Sequence, residues 1–355
     1  MSAKLKVGII GTGGIAGNHI AAYKKLGDKV EVVACCDIDG EKVKKYAERH
    51  GIPRTYTDAE EMMAAETLDA VSVCTWNAAH KPCTIAALRG GANVICEKPM
   101  ALNAAEAAEM EAVAKEEGKL LAIGFVRRFG KDAIAIKEMS DGGLLGDVYY
   151  AKAEYLRRAG APGGWFGDKA YAGGGPMIDL GVHVIDLVRY LAGKPNPTAA
   201  YAVMYDNIGP HRYKLSNGSY VSTSKGKFEF NVEDMASALI KFDSGLTLQI
   251  EASYHLNTAS DRGSIEIFGT KAGLAIKDKR VEIYSDINGV PVNCETANDT
   301  SLDFQQIFDA EIAQFVKAAA GEEPTRSPAE DGVALMKILD AVYESARIGK
   351  EVLID

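Results

Sequence analysis

Between Leu5 and Leu26 a short apolar strand pattern runs into a glycine cluster and leaves it as a helix pattern: LKVGII, then GTGG, then IAGNHIAAYKKL. Few folds accept that junction. It reads Gly11-x-Gly13-x-x-Ala16, the turn that opens a dinucleotide-binding βαβ unit. The first glycine permits a tight turn, the second lets the backbone approach a pyrophosphate, and the small Ala16 allows helix and strand to pack closely. N–H groups at the helix start, from Gly13, Gly14 and Ile15 onward, then meet the phosphates. A second apolar run, Val30–Cys36, ends on Asp37, roughly twenty residues beyond the glycines, where a carboxylate binds the ribose 2′-hydroxyl. Ile38, assigned to the cofactor with it, is followed by Asp39 and Gly40, without the arginine that would receive a 2′-phosphate. NAD is therefore expected rather than NADP.

The same rhythm continues to Gly124. Strand patterns at Leu5–Ile10, Val30–Cys36, Ala70–Cys74, Asn93–Cys96 and Leu120–Ile123 alternate with helix patterns at Ile15–Leu26, Glu41–His50, Ala59–Ala65, Ala79–Arg89 and Ala104–Glu117. That alternation predicts a doubly wound parallel sheet, an α/β Rossmann domain over residues 1–123. A chain of 355 residues exceeds what one core usually serves, so a second domain is expected over 124–355. Its pattern differs. In KFDSGLTLQIEASYH, Leu246, Leu248, Ile250, Ala252 and Tyr254 alternate with Thr247, Gln249, Glu251, Ser253 and His255. This period of two, with further short strands at Ser264–Phe268, Leu274–Ile276 and Val281–Ser285, predicts an α+β domain with an open, mostly antiparallel sheet. Its polar face is left to a sister subunit or to solvent. Helices near Phe304–Ala320 and Ala329–Ile348 close the chain, the last of them able to pack back on the Rossmann domain.

The bulk properties exclude several classes. A net charge of -9 gives no basic footprint for nucleic acid. No apolar run approaches membrane-spanning length, and MSAKLKVGII lacks the longer apolar segment and cleavage site of a signal peptide. The six cysteines form no CxxC pair and mostly sit in apolar runs, so buried free thiols are expected rather than metal ligands or disulfides. Together these features point to a cytoplasmic protein without a metal.

Two segments carry the chemistry. NVICEKPMAL places Glu97-Lys98-Pro99 at the carboxyl end of the fifth strand pattern, where ligands bind in open α/β sheets. A surface charge pair is the alternative for that segment alone. GGGPMIDLGVHVIDL opens with a loop and Pro176, suited to the first position of a helix. At 3.6 residues per turn, Asp179, His183 and Asp186 fall on one stripe, continued by Tyr190, in an otherwise apolar helix. Such a seam faces either a polar cavity or a satisfied internal network.

These motifs, with CTWNAAH at Cys74–His80 and GFVRRF at Gly124–Phe129, resemble the Gfo/Idh/MocA oxidoreductases across essentially the whole chain. The resemblance implies an N-terminal Rossmann domain, a C-terminal open sheet used for dimer or tetramer contacts, and a substrate cleft at the nicotinamide. By that analogy Lys98, Asp179 and His183 match the catalytic Lys, Asp and His, and Thr75, Asn77, His80, Glu97 and also Lys98 belong with the cofactor. One departure is Trp76, where the family commonly has proline; it either reshapes the cofactor edge or packs.

The implied reaction is reversible oxidation of a secondary alcohol by NAD⁺. His183, with an ordinary pKa near working pH, suits the base. Lys98 would bond the same oxygen and stabilise alkoxide charge, unless burial makes it the proton acceptor. Asp179 would orient His183 or bind a neighbouring hydroxyl; Asp186 is assigned to support. Arg127, Arg128, Tyr155, Arg157, Arg158 and Trp165 cluster before the helix, and aromatic faces with donors suit a sugar or cyclitol. From these, Arg127, Tyr155, Arg157 and Trp165 are the expected substrate residues, while Arg128 and Arg158 read equally well as a basic surface patch. The alternatives are a non-catalytic NAD-binding sensor, for which Lys98, Asp179 and His183 have no chemical need, and a reductase of a non-sugar substrate on the same scaffold. A further variant is an oxidoreductase that never releases its nucleotide.

Overall fold

Strands of a parallel sheet are buried on both faces and therefore need continuous apolar sequence, which the first third of the chain supplies. The computed structural model describes residues 4–212, 222–224, 226–277, 280–297, 300 and 303–355. In it β1 (Leu5–Ile10), β2 (Val30–Cys36), β3 (Arg54–Tyr56), β4 (Ala70–Val73), β5 (Asn93–Glu97) and β6 (Leu121–Gly124) form a parallel sheet of order β3-β2-β1-β4-β5-β6. The helices α1 (Ala16–Lys25), α2 (Gly40–His50), α3 (Ala59–Ala65), α4 (Asn77–Arg89) and α5 (Ala104–Glu116) make the intervening connections. Strand order reverses between β1 and β4, the switch point at which such sheets bind ligands. β3 went unpredicted: three polar residues at a sheet edge carry no apolar run.

Contacts divide the chain into two compact units. The first comprises Met1–Val126, Ser222–Lys225 and Phe304–Val333. The helix Phe304–Ala319 lies in this unit, and its Ile312, Phe315 and Val316 share a core with Val7, Ala22, Tyr23, Val30, Ala70 and Ile95.

The second unit is built on a nine-stranded sheet. Its strands are β7 (Val148–Leu156), β8 (Pro197–Tyr205), β9 (Met235–Phe242), β10 (Thr247–Ser253), β11 (Arg262–Gly269), β12 (Ala272–Lys277), β13 (Arg280–Ile287), β14 (Val290–Glu295) and β15 (Val352–Leu353). They run in the order β14-β13-β12-β11-β7-β10-β9-β8-β15, with only the β7–β10 pair parallel. The chain is thus α/β followed by α+β, with a mostly antiparallel second sheet. On one face Ala151, Ala153, Leu248, Ile250, Ile265 and Ile267 are buried, and α8 (Val182–Leu191) packs against β7, β10 and β11. The remaining described α-helices are α6 (Lys131–Asp141), α7 (Lys169–Ala172), α9 (Gly209–Arg212), α10 (Phe304–Ala319) and α11 (Ala329–Ile348). Tyr201, Val203 and Tyr205 of β8 and Leu239 of β9 stand exposed, Tyr201 in register with Leu239. The alternation read through His255 stops at Ser253: Tyr254 and His255 are both buried. Among the described residues no helix is long and apolar enough to cross a membrane.

Candidate active site

The two glycines of the fingerprint differ in what requires them. Gly11 has φ 88°, and a Cβ there would lie 2.6 Å from the Cys74 backbone, so the first unit itself demands glycine. A Cβ on Gly13 would meet nothing within 4 Å. The space before it is open, as a backbone cradle for a phosphate requires. Asp39, Asp58 and Asn103 cap α2, α3 and α5 with side-chain oxygens, whereas Ile15 at the N-cap of α1 offers no acceptor. The positive end of α1 is thus left for an anion. Ala16 is buried and its carbonyl accepts from the Tyr46 hydroxyl at 2.8 Å.

Asp37 stands at the end of β2. Its Oδ2 accepts from the Thr12 N–H, the Thr12 hydroxyl and Lys42 Nζ, each at 2.8 Å, and Oδ1 accepts from the Asp39 N–H at 3.1 Å. Burial alone would raise its pKa, but the bonds from Lys42, Thr12 and Asp39 hold it below the ordinary carboxylate value. A carboxylate oxygen carries two lone pairs and Oδ1 has accepted one bond, so it retains capacity for a ribose hydroxyl. Ile38 beside it is 71% exposed, an apolar surface suited to a flat ring. These residues fit a dinucleotide. Lys42 was not singled out in the sequence: five residues past Asp37, it has no motif to announce it, and only helix α2 folds it back onto the carboxylate.

At the end of β5, Lys98 is half-buried and its peptide bond to Pro99 is cis. The turn is held from two sides. The Lys98 N–H donates to Glu97 Oε2 at 3.2 Å, and His80 Nδ1 lies 2.7 Å from the Pro99 carbonyl. The other His80 nitrogen faces the Thr75 carbonyl at 3.2 Å, so the ring assigned to the cofactor is engaged with two backbone oxygens. Burial pushes its pKa down, against the pull of those carbonyls and of Glu97. Asn77 is buried at the start of α4, and Thr75 is half-buried with its hydroxyl on the Trp76 carbonyl. Trp76 is the N-cap of α4 with φ −73° and ψ 159°. Its backbone conformation is one that proline also adopts, which explains how the exchange is accommodated.

In the second unit the GGGP segment leads into a wide π-helical turn, Met177–Gly181, ahead of α8. Such turns are rare and are found frequently at functional sites. Buried Glu233 holds the entry: its oxygens accept from the Gly175 and Met177 N–H groups at 2.9 and 3.1 Å and from the Tyr343 hydroxyl at 2.8 Å. Asp179 lies within the π turn, buried, and its Oδ2 accepts from the Tyr254 hydroxyl at 2.9 Å. Burial, reinforced by the Asp179 charge, pushes Tyr254 well up. Arg157 belongs to the same group. Burial opposes its charge, but Tyr155 and Asp179 raise its pKa, and its guanidinium lies 5.3 Å from the Tyr155 ring centre. Leu180, Ala161, Ala252 and Tyr254, with Tyr155 and Phe230, form the apolar bed. His183 is half-buried in the first turn of α8.

Two members of the polar stripe have buried partners, Asp179 the Tyr254 hydroxyl and Asp186 the Arg128 guanidinium. Asp179 lies in the π turn ahead of α8, where Asp186 sits. Arg128 Nε donates to Asp186 Oδ2 at 2.9 Å, Nη2 reaches Oδ1, and the guanidinium lies 4.8 Å from the Tyr190 ring centre. Arg128 is fully buried, which rules out the surface-patch alternative for it, whereas Arg158 is exposed and bonds the Ala259 carbonyl. Arg127 pairs with Asp132 at 3.0 Å. Trp165, half-buried on the turn Gly164–Gly167, stacks on Phe166 with ring centres 3.8 Å apart. Tyr254 is the functional candidate that sequence reasoning passed over, because its alternation marked it only as an inward-facing strand residue. Among the described residues no cluster of His, Cys, Asp or Glu is arranged to hold a metal ion.

Comparison with known proteins identifies the family. Residues 5–125 match the family model described as "Oxidoreductase family, NAD-binding Rossmann fold", and residues 134–275 match the "GFO/IDH/MocA C-terminal domain". The chain is 32% identical over 353 residues to the D-glucoside 3-dehydrogenase of Escherichia coli (strain K12), covering 99% of this chain and 98% of that one. It is 25% identical over 351 residues to the inositol 2-dehydrogenase/D-chiro-inositol 3-dehydrogenase of Shouchella clausii (strain KSM-K16), covering 98% and 93% of the two chains. In fold it resembles a levoglucosan dehydrogenase solved in complex with NADH, with a TM-score of 0.87, 22% identity and 99% of each chain covered. The chain belongs to the Gfo/Idh/MocA oxidoreductase family, and residues 5–125 form its NAD-binding Rossmann domain.

Proposed function

We propose that this oxidoreductase reversibly oxidises a secondary hydroxyl of a sugar, sugar derivative or cyclitol, with NAD⁺ as acceptor. The observation that carries the reading is the buried Asp179 carboxylate, bonded by Tyr254 with Arg157 and the Tyr155 ring beside it. Charged and hydroxyl groups grouped around an aromatic face suit a ring that is apolar on its faces and hydroxylated at its edge. The names of the glucoside, inositol and levoglucosan dehydrogenases among its relatives support the same class.

NAD⁺, when bound, supplies a hydride acceptor at its nicotinamide C4. The open backbone at Gly13, the uncapped start of α1, Asp37 and Ile38 hold it, and Gly14, Ile15 and Ala16 complete that turn. His183 takes the hydroxyl proton as the carbinol carbon is oxidised. Lys98 donates to the same oxygen and stabilises its developing charge. Asp179, fixed by Tyr254, binds a neighbouring hydroxyl or orients His183, and Arg157 bonds further along the ring. Trp165 and Arg127 complete the expected substrate contacts.

Self-association through the second sheet is part of the proposal, giving a homodimer or homotetramer. The exposed Tyr201, Val203, Tyr205 and Leu239 supply an apolar surface for it. A cytoplasmic location is supported by six free cysteines, of which only Cys294 is exposed.

The test is to incubate the protein with NAD⁺ and methyl β-D-glucoside, levoglucosan, myo-inositol and sugar acids, following NADH absorbance. Turnover is expected with at least one, and Lys98→Ala and His183→Ala should abolish it while keeping NADH affinity. Tight NADH binding without turnover on any would favour a regulatory sensor instead.

A further inference from the structure

His19 was not among the expected functional residues, yet it is completely buried within the first unit and surrounded by polar partners. It projects from α1, the helix that opens the dinucleotide site, toward the ends of β4 and β5. Nε2 lies 3.0 Å from Glu97 Oε1 and Nδ1 lies 3.1 Å from the Ser72 hydroxyl, which in turn lies 2.8 Å from the Tyr23 hydroxyl. Phe308 of α10 covers the ring at 5.6 Å between centres. A carboxylate oxygen only accepts, so the ring nitrogen facing Glu97 carries the hydrogen; Ser72 then donates to Nδ1 and accepts from Tyr23. The chain of bonds continues at the far oxygen of Glu97, which accepts from the Lys98 N–H.

Burying a carboxylate among apolar strands is costly unless each oxygen has a partner. His19 is that partner for Oε1, leaving Oε2 to the Lys98 amide. Without His19 the Glu97 side chain would turn toward water, and the Lys98 amide would lose its acceptor. His80 holds the other side of the same turn through the Pro99 carbonyl.

We propose that His19 is a positioning residue for the reaction: through Glu97 it fixes the backbone from which Lys98 projects. The inference rests on the reading that Lys98 acts in catalysis. It gives the helix of the dinucleotide fingerprint a second task, tying the cofactor-binding turn to the lysine at the end of β5. The link runs through side chains lying 49, 53 and 78 residues apart in sequence, which is why no local motif reveals it.

Two replacements separate this role from general packing. In His19→Gln the side-chain amide nitrogen can take the place of Nε2 and still donate to Glu97. In His19→Asn it can replace only Nδ1, so the link to Glu97 is cut. Hydrogen exchange of the peptide spanning Cys96–Met100, in the full-length protein with NADH, reads the Lys98 amide directly and needs no substrate. Exchange at that amide should accelerate about tenfold or more in His19→Asn and stay near wild type in His19→Gln. On whichever sugar of the panel is oxidised, kcat should fall about ten- to a hundredfold in His19→Asn, with KM and NADH affinity within about twofold, and recover in His19→Gln. If His19→Asn fails to fold, Ser72→Ala removes only the hydroxyl behind the ring and should give a weaker change in the same direction. Equal exchange in the Asn and Gln variants, or unchanged protection in Asn and in Ser72→Ala, overturns the proposal. Lys98→Met distinguishes the two failures. If it retains turnover, the catalytic reading of Lys98 falls and this inference with it. If it is inactive while His19→Asn turns over like wild type, the positioning role alone falls.

Discussion

The phenol of Tyr254 donates to Asp179 Oδ2 at 2.9 Å, and both residues are buried. The bond joins the end of β10 to the π turn and fixes one oxygen of the carboxylate proposed to meet substrate. Tyr254→Phe removes this donor and keeps the ring. A hydrogen bond to a charged group contributes about 1.5–3 kcal/mol, so kcat/KM should fall about ten- to a hundredfold. NADH affinity should not change. Steady-state kinetics beside an NADH titration check both, and an unchanged kcat/KM would remove Tyr254 from the site.

Gly11 and Gly13 should respond oppositely to alanine. At Gly11, φ 88° and the 2.6 Å approach of the Cys74 backbone mean that a methyl group strains the unliganded fold. Gly11→Ala should lower stability by about 1–3 kcal/mol. At Gly13 the methyl group enters open space, so Gly13→Ala should melt with wild type while binding NADH more weakly. Thermal melts without ligand, followed by NADH titration, separate the two; destabilisation by Gly13→Ala would mean that its space is not a cradle.

Much of the first unit was legible because a parallel sheet writes itself as apolar runs: β1 and β2 begin and end where the pattern said. The edge strand β3 was not legible, since Arg54, Thr55 and Tyr56 have no buried face to mark them. β7 and β8 escaped because Ala-Lys-Ala-Glu and Ala-Ala-Tyr-Ala alternate too softly between small and polar residues. In the second unit, helical phase marked Asp179, His183 and Asp186 and assigned Asp186 to support, but it could not show what Asp186 is bonded to. Its partner Arg128 lies 58 residues away in sequence, and its own reading was open between a substrate contact and a surface patch. Lys42, Tyr254 and His19 were hidden for a related reason: each acts through a bond whose other end is supplied by the fold.

The Lys42–Asp37 pair gives a prediction about cofactor choice. With Asp37 ionised, a 2′-phosphate meets like charge, and the lysine is already engaged at 2.8 Å. Asp37→Ser removes the repulsion and releases the ammonium. Charges this close at a protein surface interact by about 1–4 kcal/mol, so the ratio of NADPH to NADH affinity should rise about tenfold or more. Fluorescence titration with both nucleotides measures it. Adding Lys42→Ala should reverse the gain for NADPH without restoring NADH binding.

Arg128 and Asp186 form a buried pair whose two halves need each other. Breaking such a pair by removing one partner costs about 3–5 kcal/mol, because a charge is left buried and alone. Arg128→Met should therefore lower the melting temperature strongly. The double variant Arg128→Met, Asp186→Leu should recover most of the loss, since no charge remains. Turnover per folded molecule should be nearly constant, consistent with a supporting role for Asp186. A double variant no more stable than the single would show that the pair contributes more than mutual neutralisation.

Glu233 gives a prediction with a definite sign in pH. Burial pushes its pKa up, while the Gly175 and Met177 N–H groups and the Tyr343 hydroxyl pull it back without cancelling the rise. A carboxyl group whose pKa is higher folded than unfolded binds its proton more tightly in the folded state. Its contribution to stability is thus complete below the ordinary carboxylate pKa and declines as pH rises toward the folded value. Glu233→Gln cannot titrate and serves as the reference. The melting-temperature gap, wild type minus Glu233→Gln, should narrow as pH rises above the ordinary carboxylate pKa. Were the gap to widen instead, the three donors would outweigh burial and hold Glu233 ionised, and the π turn carrying Asp179 would be anchored by a charge.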